Sequence, residues 1–142
     1  MAALTRNRDT KVHEIRHLGW LPVAAGVKLW KGSLVCSNAA GYAVPGSVAT
    51  TLIAAGRSED EIDNTNGAAG DKKVNIRRGI ILLANSTAGD AITIADRYKQ
   101  CYVVDDQTVA KTDGTGTRSR AGMIVGVEPA GVWVNVDPLM GT

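Results

Sequence analysis

Aromatic residues are scarce in this sequence: phenylalanine is absent, and tryptophan and tyrosine bring the aromatic fraction to only 4% of 142 residues. The core must therefore be built largely from small apolar residues such as alanine and valine, within a hydrophobic fraction of 44%. Glycine is abundant, at 16 residues, and long helical patterns are few, which favours short strands joined by tight turns. The length predicts one domain that buries roughly two thirds of its unfolded surface.

Histidine and cysteine are also rare, with two of each, and this limits the chemistry available. Neither a CxxC motif nor a Cys/His cluster occurs, which argues against a zinc site. His13 and His17 lie in a segment that has no amphipathic helical pattern and no third ligand. Any Ser-His-Asp or Cys-His catalytic unit would have to use one of them. We therefore predict that the protein is not an enzyme, with no catalytic, cofactor-binding or metal-binding residues and no cofactor.

Long apolar runs are missing as well. The N-terminus, MAALTRNRDTKVHEIRH, has no apolar h-region of a signal peptide. The longest apolar run, Gly79–Ala84, is far shorter than the ~20 residues that span a bilayer, so no membrane contact is predicted. Without a secretory signal, Cys36 and Cys101 are expected to be reduced, buried and small hydrophobic residues, although a disulfide between them stays open.

Charge of one sign is not in excess: 16 basic and 14 acidic residues give a net charge of +2. A dedicated nucleic-acid-binding protein would show a basic stripe and a higher pI, so no direct nucleic-acid partner is predicted. A basic cluster occurs at Lys72, Lys73, Arg77 and Arg78. On a strand, Lys73, Asn75 and Arg77 would share a face that suits phosphate or an acidic protein surface. Because interleaved aromatic residues for base stacking are absent, a solvated or protein-facing patch is favoured.

Three further polar motifs are interpreted as turns. Asp105 and Asp106, with Asp96 nearby in sequence, are candidate carboxylates, but adjacent strand residues point to opposite faces and cannot easily share an ion. The run Asp63–Gly67 has calcium-loop composition, but its ligand spacing is wrong and no bidentate glutamate follows. The glycine-rich run Asp113–Thr117 precedes a strand, whereas a phosphate cradle needs a helix N-terminus.

The stretch from Cys101 to Asp137 carries the clearest strand signals. Runs rich in β-branched residues occur at Cys101–Val104, Ala121–Val127 and Val132–Val136. The turn Pro129–Gly131 makes the last two runs a β-hairpin, in which Trp133 points away from its valine neighbours.

The upstream half predicts a meander of short strands. These strands are expected at Val27–Trp30, Ser33–Cys36, Tyr42–Val44, Val48–Gly56, Lys72–Asn85 and Ala91–Ala95. Gly79 is expected to bend the longest of them, and the continuous run Ile80–Leu83 predicts cover on both sides. The acidic, glycine-rich segment Arg57–Asp71 is predicted to be a long surface loop with one helical turn at Ser58–Ile62. Another helical turn is expected at Asp96–Gln100.

Several of these segments, taken in order, resemble the head decoration (capsid cement) proteins of tailed bacteriophages. The resemblance extends from about Val23 to Val136 and does not cover the N-terminal arm. The segments that carry it are Val23–Val35, Gly41–Ala43, Gly70–Asn85, Tyr102–Val109, Thr117–Gly122 and Gly131–Val136. It implies an all-β fold, a compact β-barrel or β-sandwich that is jelly-roll-like or a small open barrel, with an extended N-terminal arm (residues 1–20), long loops and one β domain (residues 21–142).

The resemblance also implies a structural role. Such a protein binds the outer surface of the mature capsid as a dimer or trimer and stabilises contacts between major capsid protein subunits. It belongs to the virion exterior and assembles in the host cytoplasm. From their length and polarity, we expect contacts on Met1–Leu21, Arg57–Asp71 and Lys111–Arg120.

The main alternative is a β-barrel binding module for carbohydrate or nucleic acid, on a virion or in a cell. Exposed aromatic residues would mark a sugar site, and Trp20, Trp30 and Trp133 are the candidates, although we expect these side chains to be buried in the core. An enzyme subunit is a third interpretation, and it lacks a plausible catalytic constellation.

Overall fold

The computed structural model describes residue 3, residues 5–8 and residues 18–140. The predicted N-terminal arm, residues 1–20, lies mostly outside these residues, and His13 and His17 lie entirely outside them. Within the described part of the chain there are twelve β-strands and three short 3-10 turns. The strands are β1 Leu18–Pro22, β2 Val27–Leu29, β3 Leu34–Ser37, β4 Ala43–Pro45, β5 Ile53–Ser58, β6 Ile62–Asn64, β7 Lys73–Arg77, β8 Gly79–Asn85, β9 Gln100–Val103, β10 Thr108–Ala110, β11 Arg120–Glu128 and β12 Gly131–Val136. The all-β prediction is confirmed.

Five of the described strands close into a barrel in the order β10-β8-β12-β11-β9. The β10–β8 pair is parallel, and the other pairs are antiparallel. The predicted hairpin is confirmed as β11 and β12, which turn between Glu128 and Gly131. Strand alternation builds the interior, because Val132, Val134 and Val136 are fully buried while Trp133 between them points outward.

The second sheet, β1-β7-β5-β3-β4, curls over its own core. Val23, just past β1, bridges to Ala43 of β4 and brings the two ends of the sheet together. This second core contains Val23, Leu29, Val35, Ala43, Ala55, Val74 and Ile76. The opposite face of the sheet divides in two. At β3 and β5, Leu34, Cys36 and Ala54 join the core of the barrel, whereas at β1 and β7 the same face is exposed to solvent.

The predicted long loop Arg57–Asp71 is only partly a loop. Strand β5 extends to Ser58, and β6 at Ile62–Asn64 pairs with β2, so the helical turn predicted at Ser58–Ile62 is wrong. Ile62 packs against the second core, and this tertiary contact outweighs the local turn chemistry.

The predicted strand Lys72–Asn85 is divided into β7 and β8, with the bend at Gly79, whose φ is 128°. The expectation that Ile80–Leu83 is covered on both sides is wrong. Its residues alternate instead: Ile81 and Leu83 face the barrel core, and Ile80 and Leu82 are exposed.

The strand predicted at Ala91–Ala95 is wrong as well, since a 3-10 turn forms at Ile94–Asp96. The Asp96 carboxylate accepts hydrogen bonds from the backbone N–H and the hydroxyl of Thr93, at 2.8 and 3.2 Å, and these bonds fix the turn. The turn predicted over Asp96–Gln100 therefore begins earlier, and Gln100 already belongs to β9.

Replacing a residue of the barrel interior should be costly. Ile124 is fully buried in the barrel core, so Ile124→Ala should lower the free energy of unfolding by about 2–5 kcal/mol, since it removes buried methylenes and leaves a cavity. Chemical denaturation measures this change. Ile94→Ala, the same substitution at an exposed position, should change it by less than about 0.5 kcal/mol. Equal losses in the two variants would contradict the assigned core.

Candidate protein-docking surface

The carboxylates considered for chemistry have local structural uses. Asp105 Oδ1 accepts the backbone N–H of Gln107 at 2.9 Å, so the predicted turn is confirmed there. The Asp96 carboxylate is buried in its 3-10 turn, and Lys111 Nζ lies 3.8 Å from its Oδ1. In the described residues, no three His, Cys, Asp or Glu side chains are grouped so that they could hold a metal ion.

The run Asp63–Gly67 forms a turn, as predicted, and the glycine-rich run Asp113–Thr117, predicted to be a hairpin loop, also turns the chain. Asp63 Oδ1 accepts both the backbone N–H and the hydroxyl of Thr65, at 3.0 and 2.6 Å. A cavity of about 410 Å³ lies beside this loop, but Lys72 Nζ enters it and donates to the Asp63 carbonyl at 2.5 Å. That ammonium group disfavours a bound cation. In the run Asp113–Thr117, the Thr117 N–H closes a turn on the Asp113 carbonyl at 2.9 Å.

Both cysteines are buried in the barrel core and are free, so their predicted burial is confirmed. Burial raises the pKa of the Cys36 thiol and of the Cys101 thiol to about 12. Both therefore remain protonated at neutral pH, where the thiolate that would act as a nucleophile is scarce.

The expectation that the tryptophans are buried is wrong. Trp20 is 53% exposed, Trp30 is 54% exposed and Trp133 is 37% exposed. Trp20 and Trp133 lie on the outer side of β1 and β12, because the residues next to them in the strand face inward. Trp30 follows Leu29, the last residue of β2, which is buried in the second core. An exposed indole offers a large amphipathic contact area, so these positions are candidates for recognition.

Four large apolar side chains share the outer face of the barrel. Met123 pairs with Asn135, and Asn135 pairs with Ile80. Trp133, two residues before Asn135 on β12, lies opposite Leu82 of β8 and Gly126 of β11. Directly paired residues, and residues two apart on a strand, point to the same side. Ile80, Leu82, Met123 and Trp133 are all exposed on this side, and we call them the docking face.

The docking face continues into a groove of about 630 Å³ between β5 and the beginning of β11. Met123 belongs to both surfaces, and Asn135, which pairs with Met123 and Ile80, also lines the groove. The groove is lined by Leu52, Ile53, Arg120, Met123, Asn135 and Pro138. Ile53, the first residue of β5, is another exposed large apolar side chain. The apolar surface therefore extends from the barrel onto the second sheet.

The docking face is held in place by the barrel beneath it. Ile81, Leu83 and Val134 occupy the inward positions of the same strands and pack in the barrel core. Trp133 is fixed further by a hydrogen bond of 3.3 Å from its Nε1 to Glu128 Oε2. Gly126 has no side chain, and a Cβ built there would lie 3.8 Å from Trp133 Cδ1, so the indole leans over this glycine. Such a face needs little reordering on binding.

Charged groups border the docking face at the groove, and Glu128 lies beside Trp133. Arg118 at the groove pairs with Asp90, with 3.2 Å between Nη1 and Oδ2, and Arg120 is exposed beside it. An apolar centre with a polar rim is the usual anatomy of a protein–protein contact. The sequence did not indicate this surface, because the continuous run Ile80–Leu83 gives no sign of which residues face outward.

The basic cluster lies on the other sheet. Lys73, Asn75 and Arg77 are exposed on one face of β7, as predicted. The expectation that no aromatic side chain lies among these residues is wrong, since Trp20 of β1 lies directly opposite Asn75. This pairing joins residues far apart in sequence, so no local pattern could have revealed it.

No helix in the described part of the chain is long and apolar enough to cross a membrane.

The buried Asp96 carboxylate makes stability dependent on pH. The hydrogen bonds from Thr93 hold the pKa of Asp96 below its usual range. Its contribution is therefore present above the unfolded pKa of ~3.9 and is lost as the pH falls through the lower folded pKa. The difference in the free energy of unfolding between wild type and Asp96→Asn should become smaller as the pH falls below about 4. Denaturation at several pH values measures it. An unchanged difference down to low pH would contradict this role.

Comparison with known proteins gives no match: no protein-family model, no curated protein and no solved structure is similar to this chain. The resemblance to phage head decoration proteins therefore has only the sequence segments themselves behind it. Function has to be inferred from the docking face and from the chemistry of the other exposed surfaces.

Proposed function

We propose that this protein is a head decoration protein of a tailed bacteriophage. In this proposal it binds the outer surface of the mature capsid and stabilises contacts between major capsid protein subunits. The observation that carries the proposal is the docking face on the closed barrel, where Leu82 pairs with Trp133 and the exposed Ile80 and Met123 flank Asn135 on the same side. Contiguous apolar patches of this kind mark sites of protein–protein contact.

The composition of the docking face supports a protein partner. Trp is enriched among the residues that dominate binding energy, and Met and aromatic residues are enriched at interfaces. Covering these side chains would gain about 25 cal/mol per Å² of apolar area removed from water. The groove beside Met123 has a volume of about 630 Å³. In this proposal it receives a projecting segment of a capsid subunit.

One of the predicted contact segments adjoins this surface. The loop Lys111–Arg120 leads into β11, and its last residues, Arg118 and Arg120, line the groove. The segment Arg57–Asp71 lies away from the barrel, with the end of β5 in the second sheet and β6 paired to β2. The third predicted segment, Met1–Leu21, lies mostly outside the described residues. In this proposal the barrel side of the molecule, groove and loop together, faces the capsid.

The proposed mechanism is stabilisation by mass action. A protein that binds only the mature shell stabilises it by RT ln(1 + [L]/Kd), about 2.7 kcal/mol per site at a hundredfold excess over Kd. The gain is repeated over every equivalent site of the shell. Self-association into a dimer or trimer would link several docking faces and raise their effective concentration. The protein would then reside on the virion exterior after assembly in the host cytoplasm.

Placing a charge on the docking face should weaken the binding of the protein to capsids without unfolding it. Trp133→Lys and Leu82→Lys should each weaken binding about 30-fold or more, since truncating a central interface residue costs ~2 kcal/mol or more and the charge adds a desolvation cost. The measurement is occupancy on undecorated heads assembled from the major capsid protein of the same genome, by co-sedimentation and electron microscopy.

The matched control is Trp30→Lys, which charges an indole that is more exposed than Trp133 and lies directly after β2, away from the barrel. It should decorate heads as the wild type does, and all three variants should keep the wild-type midpoint of chemical denaturation. Wild-type protein that leaves the heads bare would overturn the proposed function. Full occupancy by Trp133→Lys would overturn the assignment of the docking face.

A further inference from the structure

The exposed face of β1 and β7 carries a second surface of different chemistry. Trp20 lies directly opposite Asn75, and Lys73 and Arg77 lie two residues to either side of Asn75 on the same strand. All four side chains are exposed and point to one side of the sheet. We call them the tryptophan platform. It lies on the second sheet, whereas the docking face lies on the barrel.

A lysine contacts the ring of Trp20, and about half of the side chain stays exposed. Lys73 Nζ lies 4.3 Å from the ring centroid of Trp20, a cation–π contact that fixes the ring against β7. Trp20 nevertheless keeps 53% of its surface exposed. The backbone N–H of Asn75 donates to Asp60 Oδ2 at 3.2 Å. The Asn75 side-chain amide makes no hydrogen bond within the described residues, so it can both donate and accept.

Both donors and acceptors surround the platform. Glu59 follows β5 and donates its backbone N–H to the Asn75 carbonyl, at 2.9 Å. Its carboxylate lies 2.6 Å from Arg57 Nη2 and 3.6 Å from Arg77 Nε. Carboxylates that accept, guanidinium and ammonium groups that donate, and an amide that does both thus lie around one exposed indole.

We propose that the tryptophan platform binds an oligosaccharide. The C–H groups on one face of a pyranose ring can pack on the part of the Trp20 indole that Lys73 leaves exposed, since the ring combines a large apolar surface with a negative π face. Sugar hydroxyls both donate and accept hydrogen bonds, and the platform offers partners of both kinds in Asn75, Arg77 and Asp60. A site built to hydrogen-bond hydroxyl groups discriminates strongly against ligands that lack them.

A nucleic acid fits this surface less well. A phosphate backbone needs an uninterrupted positive track, and here the acids Glu59 and Asp60 border the platform. The net charge of the chain is only +2, which gives little general attraction for a polyanion. Lys73 contacts the Trp20 ring and makes no ion pair within the described residues, so a sugar carrying a single carboxylate can pair with its ammonium group and is accommodated beside neutral sugars.

The experiment uses the isolated protein and no capsids. Wild-type protein is screened on an array of neutral and uronic-acid-containing oligosaccharides, and the best ligand is titrated while tryptophan fluorescence and backbone amide NMR shifts are followed. We expect saturable binding, with shifts at β1 and β7. Trp20→Ala and Asn75→Ala should each weaken it by about tenfold or more, because each removes a central contact.

Trp30→Ala is the matched control. Trp30 is as exposed as Trp20 and carries its own lysine, with Lys28 Nζ 3.9 Å from the ring centroid. In the described part of the chain the β2–β6 pairing ends at Leu29, so no paired strand supplies a row of polar side chains opposite Trp30. Binding should be unchanged in this variant. Equal loss in Trp30→Ala, binding of oligothymidylate in preference to every saccharide, or no saccharide bound at millimolar concentration would overturn the proposal. None of these results bears on capsid decoration, which Trp133→Lys tests separately.

Discussion

Closure of the barrel is the constraint on which the remaining structure depends. Once β8, β12, β11, β9 and β10 form a closed ring, each strand must place alternate residues inside and outside. The small interior is filled by valines, isoleucines, Leu83, Ala121 and Cys101, which suits a chain without phenylalanine. The outward residues Ile80, Leu82 and Trp133 are exposed, with no second layer of the described residues over them. The docking face is thus the direct consequence of barrel closure acting on apolar strands.

The crossing from one sheet to the other positions the second surface. Gly79 adopts a φ of 128° where β7 ends and β8 begins, a conformation that favours glycine. At this crossing Arg78 Nη2 donates to the Leu18 carbonyl at 2.8 Å. Its guanidinium lies where a side chain on Gly19 would be, so a larger residue there would displace it. The crossing therefore holds β1 against β7 and sets Trp20 opposite Asn75.

The sequence predicted what depends on neighbouring residues. The alternation at Val132–Val136 and the turn before it specified the hairpin, and the composition specified an all-β fold. The sequence did not reveal that Ile80 and Leu82 face solvent, because a continuous apolar run fits either a covered strand or a one-sided strand. The exposure of Trp20 and Trp133 depends on pairings with β7 and β8, and such long-range pairing leaves no local trace. The strand β6 was missed for the same reason.

A protein with an exposed apolar face risks indiscriminate association, and the form of this fold reduces that risk. An open sheet edge would offer unpaired N–H and C=O groups to any passing strand, but the docking face belongs to a closed barrel and presents side chains rather than backbone. Its partner must therefore match the shapes of Trp133, Leu82 and Met123, and hydrogen-bonding capacity alone does not suffice. The second sheet keeps its exposed indole among charged and amide groups, where stacking needs a ligand that also satisfies them. Each surface thus selects its ligand by a different physical criterion.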